Sequence, residues 1–207
     1  MKGFYINLDE RLDRLEHIEK LKQKYGFLKD INRLKAYKNK SNGLIGCGVS
    51  HIKAIEKMLE TNEEYFLIIE DDLVILNHNN FIKFQDDLKK IIDKEWDIIV
   101  LTPRGDRDVS YTNYDYANFS RITNNQTATG YIVKKHFAPK LIEILRFGMK
   151  NLIRGGNPNI YANDQIWKQL QPSHIFLYYQ NIFAGQLAGF SSIQNCDTDY
   201  NERFLSQ

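Results

Sequence analysis

Residues 65–75 read YFLIIEDDLVI, an apolar run broken by three consecutive carboxylates. Successive side chains of a strand alternate between faces, so Glu70, Asp71 and Asp72 cannot all reach water from the middle of a covered sheet. A strand ending at about Ile69 resolves the conflict. It delivers the triplet to the crevice beyond the carboxyl edge of the sheet, where open α/β folds bind ligands. Two carboxylates about 4 Å apart repel by about 1 kcal/mol in water and about 4 kcal/mol at an effective dielectric near 20. A divalent cation reverses that sign: hard ions such as Mn²⁺ or Mg²⁺ prefer carboxylate oxygens and share their other positions with water and substrate phosphates. The alternative for an isolated EDD is a solvated acidic turn after a core strand.

The pattern on either side of this stretch alternates between the two regular structures. GFYINL (3–8) reads as a strand, and the charged run after it places Leu12, Leu15, Ile18 and Leu21 at helical spacing up to a stop at Gly26. A short strand follows around 32–37, then a helix from Cys47 to Leu59 after the turn KSNG, then YFLII. NFIKFQDDLKKIIDK is a further amphipathic helix and WDIIVLT another buried strand. This βαβα order predicts an α/β fold with a mostly parallel sheet flanked by helices. From Pro103 to about Thr127 the period dissolves, and a loop of that length is expected to be a lid or binding surface. TGYIVKKHFAPKLIEIL then gives a short strand and a helix beginning near Ala138. The irregular RGGNPNIYAN leads into a helical DQIWKQLQ, and HIFLYYQNIFAGQLAGFSSIQ (174–194) holds at least one late strand.

At 207 residues the chain has the length for one sizeable core, and a single domain over 1–207 is expected. A net charge of +2 from 28 basic and 26 acidic residues gives no excess that would favour nucleic acid or an anionic membrane as main partner. The two cysteines, Cys47 and Cys196, cannot make a disulfide framework, and no C-x-x-C or Cys/His spacing points to zinc. The opening MKGFYINLDER has no secretory apolar region and no stretch reaches the length of a transmembrane segment, so a cytoplasmic location is expected.

FLIIEDDLVI also resembles the opening strand of a bacterial receiver domain, with DIIVLTP as its phosphoacceptor strand. There Thr102 stands where an aspartate is required, and a hydroxyl cannot replace a carboxylate nucleophile and metal ligand. Six stretches point elsewhere. YINLDERLDRLEHI, GCGVSHIKAIEKML, LIIEDDL, TGYIVKKHFAPKLI, NDQIWKQL and GFSSIQ occur in the order seen in family 25 glycosyltransferases, which the chain resembles over nearly its full length. That family includes bacterial lipooligosaccharide galactosyltransferases, procollagen galactosyltransferases and related collagen glycosyltransferases.

The resemblance implies a single-domain GT-A type fold, a UDP-hexose donor, a glycan or glycosylated protein acceptor, and a divalent metal, commonly Mn²⁺, at the acidic motif. Glu70, Asp71 and Asp72 would stand in for the looser D-x-D of GT-A enzymes. Asp72, with Asp71 or Glu70, would hold the ion, and a remaining acid would face ribose or sugar hydroxyls. Physically, an ion clamped by carboxylates stabilises charge developing on a departing diphosphate.

The first block matches the family at Asn7, Leu8, Arg11, Asp13 and Arg14, where a strand hands over to a helix. Backbone amides there suit a base or phosphate and an arginine fork suits a diphosphate, although Arg11 and Arg14 also fit an ordinary charged helix face. Ser50 and His51 open the SH block and could approach the nucleotide; for His51 a hydrogen-bonded structural role is the rival reading. Thr129 and Gly130 would let backbone approach the donor sugar, unless Gly130 serves only a turn. Gln186, with Ser191 and Ser192, matches the closing block and would add a ligand toward metal or diphosphate. Asp164 is the candidate base that takes the acceptor hydroxyl's proton if the reaction inverts the anomeric centre. As an N-cap of the following helix it would have a purely structural role. The chain is shorter than many relatives, which leaves acceptor recognition open, and a catalytically silent sugar-nucleotide or glycan-binding module is the alternative function.

Overall fold

The computed structural model describes residues 1–106, 118–191 and 196–199. Strand β1 (Gly3–Asn7) is followed by helix α1 (Leu12–Lys24), strand β2 (Ile31–Lys35), helix α2 (Gly43–Leu59) and strand β3 (Tyr65–Glu70). Strand β4 (Leu73–Ile75), helix α3 (His78–Ile91) and strand β5 (Ile98–Val100) come next. Three strands lie in the stretch expected to be loop: β6 (Arg104–Asp106), β7 (Phe119–Ile122) and β8 (Asn124–Gln126). The chain continues with β9 (Gly130–Lys134), α4 (Ala138–Ile153), the one-turn helices α5 (Pro158–Tyr161) and α6 (Asn163–Ile166), β10 (Phe176–Tyr179), β11 (Ala184–Gln186), β12 (Gly189–Ser191) and β13 (Cys196–Thr198).

Seven strands form the central sheet in the order β2-β1-β3-β9-β5-β10-β7. Strand β1 runs parallel to β2 and β3, and β5 runs parallel to β10. Strands β9 and β7 point the other way, β9 between β3 and β5 and β7 at the edge beside β10. The sheet is therefore mostly parallel, as the element order predicts. Inserting β9 between β3 and β5 places the segment after Thr129 directly beside the acidic strand.

Helices cover both faces, and strand alternation decides which residues meet which. Phe66 and Ile68 of β3 share one cluster with Ile52, Ile55 and Met58 of α2 and with Leu141, Leu145 and Met149 of α4. Leu67 and Ile69 share the opposite cluster with Ile18 of α1 and with Phe81, Phe84 and Leu88 of α3. All four β3 residues are at most 3% exposed, which is why the run reads as unbroken apolar sequence rather than as an alternation.

Several boundaries differ from expectation for identifiable reasons. Helix α2 starts four residues before Cys47 because the Asn42 side chain accepts the Leu44 amide and caps it. Leu12, expected on the apolar face of α1, is 68% exposed, since the helix begins there and turns its first residue outward. The supposed long loop contains the sheet-edge strand β7. Its residues Phe119, Ser120 and Ile122 are buried, and a buried serine between them hides the strand's apolar period. Residues 107–117 of that stretch lie outside the described residues. The expected DQIWKQLQ helix is divided into α6 and a 3₁₀ turn at Trp167–Gln169.

Candidate active site

Strand β3 runs one residue past the expected end, to Glu70, which pairs in register with Ile6 of β1. Continuing the alternation, Glu70 lies on the face of Phe66 and Ile68, toward α2. There its Oε1 receives His51 Nε2 at 3.0 Å and the Cys47 thiol at 3.2 Å. The other ring nitrogen of His51, Nδ1, lies 3.0 Å from the Tyr131 hydroxyl of β9, and the Asn163 amide of α6 reaches Cys47 Sγ at 3.5 Å. His51 and Tyr131 are each 1% exposed. Burial pushes the Glu70 carboxyl up, but His51 and Cys47 more than offset this and leave it below its ordinary value. Burial and the Glu70 charge push the Cys47 thiol well up.

Asp71 and Asp72 turn the other way, toward β1 and α1. Asn7, at the end of β1, donates from Nδ2 to Asp71 Oδ2 at 2.7 Å, and its Oδ1 accepts Arg33 Nε at 2.9 Å. One guanidinium nitrogen of Arg14, Nη1, bridges Asp71 Oδ1 at 3.0 Å and Asp72 Oδ2 at 3.1 Å. Burial raises both carboxyls above their ordinary values, with Arg14 pulling the other way. Asp72, further opposed by Glu70, is pushed up to about 7. Asp72 Oδ1 is buried with no hydrogen-bond partner. An orphaned carboxylate oxygen beside a second carboxylate is the donor chemistry a hard divalent cation takes, so these residues fit the implied metal.

Two connected clefts open at this edge. Leu8, Arg11, Arg14, Ser50, Asp71 and Asp72 line the first, together with Ala36–Asn39 from beyond β2. The second is lined by Arg104, Gln126, Thr127, Thr129, Asn159, Asn163 and Asp164. Cys47, Glu70 and Gln186 belong to both and so mark the junction. Gln186 arrives there because β11 pairs with β4 immediately after the acidic triplet, Gln186 opposite Leu73, and the Leu187 amide donates to Asp72 O at 2.6 Å.

The other residues singled out by sequence occupy definite places. Arg11 forks onto Asp13 at 2.9 and 2.7 Å. Ser50 is buried; its hydroxyl donates to Gly46 O and accepts the Tyr37 amide, tying α2 to the segment after β2. Gly46 permits that approach, because a Cβ there would stand 2.7 Å from Tyr37 O. Gly130 packs against Leu73, whose Cδ1 would lie 2.6 Å from an added Cβ. Asp164 does not cap its helix: Ala162 holds the N-cap position and no side chain caps it. The Asp164 carboxylate instead accepts the Thr127 amide at 3.3 Å, and burial raises its proton affinity. Ser192 lies outside the described residues.

Sequence reasoning missed Cys47, Tyr131, Asn163 and Arg33. Cys47 and His51 stand one helical turn apart in GCGVSH, a spacing that puts both on one face, and that signal was available. Tyr131 and Asn163 carried none, since only the antiparallel insertion of β9 and the packing of α6 bring them to α2. Cys47, His51 and Glu70 together offer three possible ligand atoms within 4.8 Å of one another.

Comparison with known proteins places this architecture. The sequence profile of glycosyltransferase family 25 (LPS biosynthesis protein) matches residues 22–153. The match includes Ser50, Glu70, Asp71, Asp72, Thr129 and Gly130, whereas Asn7, Leu8, Arg11, Arg14, Asp164 and Gln186 fall outside it. No curated protein sequence matches the chain. Among solved structures, a glycosyltransferase involved in glycosylation of the major capsid of PBCV-1 aligns with TM-score 0.56 and 10% identity, over 99% of this chain and 97% of that one. A197 from STIV aligns with TM-score 0.49 and 11% identity, over 93% and 97%. A UDP-glucose pyrophosphorylase complexed with UDP-glucose aligns with TM-score 0.46 and 11% identity, over 88% and 72%.

Proposed function

The chain belongs to glycosyltransferase family 25, and from that premise we propose that it moves a hexose, galactose or glucose, from a UDP-sugar to a hydroxyl of a glycan or glycosylated hydroxylysine acceptor. Mn²⁺ or Mg²⁺ would be held by Asp72 and Asp71. The observation that carries this reading is the Asp71–Asp72 pair with its orphaned Oδ1, on the wall of a cleft that continues past Glu70 to Asp164.

The first cleft takes the nucleotide diphosphate. Its carboxylates would repel a donor unless a cation stood between them; an ion held by Asp71 and Asp72 would supply that charge and stabilise the charge that develops on the departing diphosphate. Arg14 offsets part of the Asp71 and Asp72 charge in the free chain and lies close enough to turn to the phosphates when they arrive. Arg11, at the head of α1 on the same wall, is the second arginine on the phosphate side, and Leu8 and Ser50 bound the nucleoside. Glu70, kept ionised by His51, stands at the junction and accepts hydrogen bonds from the sugar hydroxyls, while Gln186 donates toward the diphosphate and Thr129 and Gly130 supply backbone along the sugar.

The second cleft takes the acceptor. Its lining is rich in neutral amides, among them Gln126, Asn159 and Asn163, which suit the hydroxyls of a sugar. Asp164 removes the acceptor hydroxyl's proton as that oxygen attacks. Its raised proton affinity brings it closer to working pH than an ordinary aspartate. We assign the whole of residues 1–207 to this one catalytic domain, acting in the cytoplasm; no helix among the described residues is long and apolar enough to cross a membrane.

The test is UDP release from a panel of UDP-sugars with acceptor, in Mn²⁺ or EDTA, for wild type, Asp72→Ala and Asp164→Ala. The proposal expects release that requires the ion and both aspartates. Turnover that ignores chelation and Asp72→Ala overturns the metal assignment. Donor binding without turnover points to a silent binding module.

A further inference from the structure

We propose that Cys47, His51 and Glu70 form a second cation site, distinct from the Asp71–Asp72 seat and selective for a borderline-soft ion such as Zn²⁺ or Co²⁺. Its ligands are Cys47 Sγ, His51 Nε2 and Glu70 Oε1, with water from the cleft junction in the fourth position. The three atoms lie close enough together to be offered to one tetrahedral ion. Metal–nitrogen and metal–oxygen bonds of about 2.0–2.1 Å and a metal–sulfur bond of about 2.3 Å imply ligand–ligand edges of roughly 3.3–3.6 Å. The structure already holds Nε2 to Oε1 at 3.0 Å and Sγ to Oε1 at 3.2 Å, with all three atoms within 4.8 Å. To seat an ion the two edges that meet at Oε1 open by about 0.3 Å, and the Sγ–Nε2 edge, which lies within 4.8 Å, closes to the same range.

The surroundings are organised as those of a ligand set. Cys47 and His51 sit one turn apart on the rigid α2, and Glu70 is the last residue of a central strand. Tyr131 holds the ring nitrogen that would not face the ion, the outer contact that fixes a ligating histidine, and Asn163 reaches the sulfur. Cys47 and Glu70 both line the clefts, so an entry path exists.

The charges and protons balance. The Cys47 proton leaves to solvent and the thiolate and Glu70 carboxylate together neutralise a doubly charged ion. The neutral ring exchanges one tautomer for the other: Nε2 gives its lone pair to the ion, and the ring proton resides on Nδ1, donating to the Tyr131 oxygen. Thiolate and imidazole select this ion over Mn²⁺ or Mg²⁺, which prefer the all-oxygen pair at Asp71 and Asp72.

The probe is Co²⁺ added to the metal-free full chain carrying Cys196→Ser, so that Cys47 is the one remaining thiol of the two in the sequence. The expected result is a near-ultraviolet thiolate-to-cobalt absorption with the intense visible bands of tetrahedral cobalt, displaced by Zn²⁺ and retained in Asp72→Asn. Cys47→Ser should abolish the ultraviolet band, and His51→Gln should weaken Zn²⁺ binding by more than the roughly 10–100-fold that loss of an outer contact brings. Should either variant fail to fold by circular dichroism, protection of Cys47 from alkylation by stoichiometric Zn²⁺ but not by Mn²⁺ gives the same answer on the unsubstituted site. A cobalt spectrum without a thiolate band, or equal alkylation with and without Zn²⁺, overturns the proposal and leaves the cluster a hydrogen-bonded brace for Glu70. Neither outcome touches the Asp71–Asp72 assignment, which fails separately if Asp72→Asn binds Mn²⁺ as wild type does.

Discussion

Glu70 and Asp71 are neighbours in sequence and share a cleft, yet they turn toward opposite faces of the sheet. Glu70 follows Phe66 and Ile68 onto the α2 side, where His51 and Cys47 meet it. Asp71 follows Leu67 and Ile69 onto the α1 side, where Asn7 and Arg14 meet it, and the turn carries Asp72 with it. The consequence is electrostatic: on the α2 side the partners hold a carboxyl below its ordinary value, while on the α1 side burial outweighs a shared arginine and raises two. Strand alternation at a sheet edge thus turns one acidic triplet into two chemically different walls, one shaped to keep a charge and one short of a cation.

The largest effect is expected from removing Asp164, the proposed base beyond the α2-side wall. Asp164→Asn should lower turnover by about 10²–10⁴-fold with donor binding preserved, measured by UDP release and by UDP titration. In wild type, kcat/KM should rise with pH through a value above that of an ordinary aspartate, because the base must be ionised to act and burial raises its proton affinity. A melting temperature that falls in Asp164→Asn in step with activity would return Asp164 to a structural role. Breaking the α1-side wall comes next: Asp72→Ala should cost about 10²–10³-fold in turnover and remove the dependence on added Mn²⁺.

Arg14→Gln sharpens the contrast rather than abolishing it. Charge-assisted hydrogen bonds contribute about 1.5–3 kcal/mol each, so removing Arg14 should strengthen Mn²⁺ binding to the nucleotide-free chain by about tenfold or more and weaken UDP binding. Calorimetry that shows both falling would contradict the arginine's role as a stand-in for the ion. The smallest effect is on stability. Folding raises the Asp72 value from 3.8 to about 7, so between those limits the folded chain keeps a proton the unfolded chain has lost. That stabilisation is complete below the unfolded value and is lost as pH rises through the folded one. The metal-free melting temperature of wild type should therefore fall more between about pH 5 and pH 8 than that of Asp72→Asn, by about 2–4 °C for each kcal/mol involved.

Much of this was legible in the chain itself. The unbroken apolar run of β3 with acids at its end gave the buried strand and the edge position of the triplet, because a strand covered on both faces must be apolar at every residue until it leaves the sheet. What that run could not reveal was which acid faces which helix, since two covered faces erase the alternation that would have marked them. β7 was unreadable because a buried serine interrupts it, and the tie from Asp164 to Thr127 because it depends on two segments 37 residues apart meeting in space. Cys47 was the avoidable omission: one turn before His51, it could have been read as half of a ligand pair.

The central claim is that the α1-side carboxylates seat a divalent ion together with the donor. Calorimetric titration of Mn²⁺ into the chain saturated with UDP, for wild type and Asp72→Ala side by side, tests it most directly. The account predicts one ion bound per wild-type chain and none at the same concentrations in Asp72→Ala; equal binding by the two would contradict it.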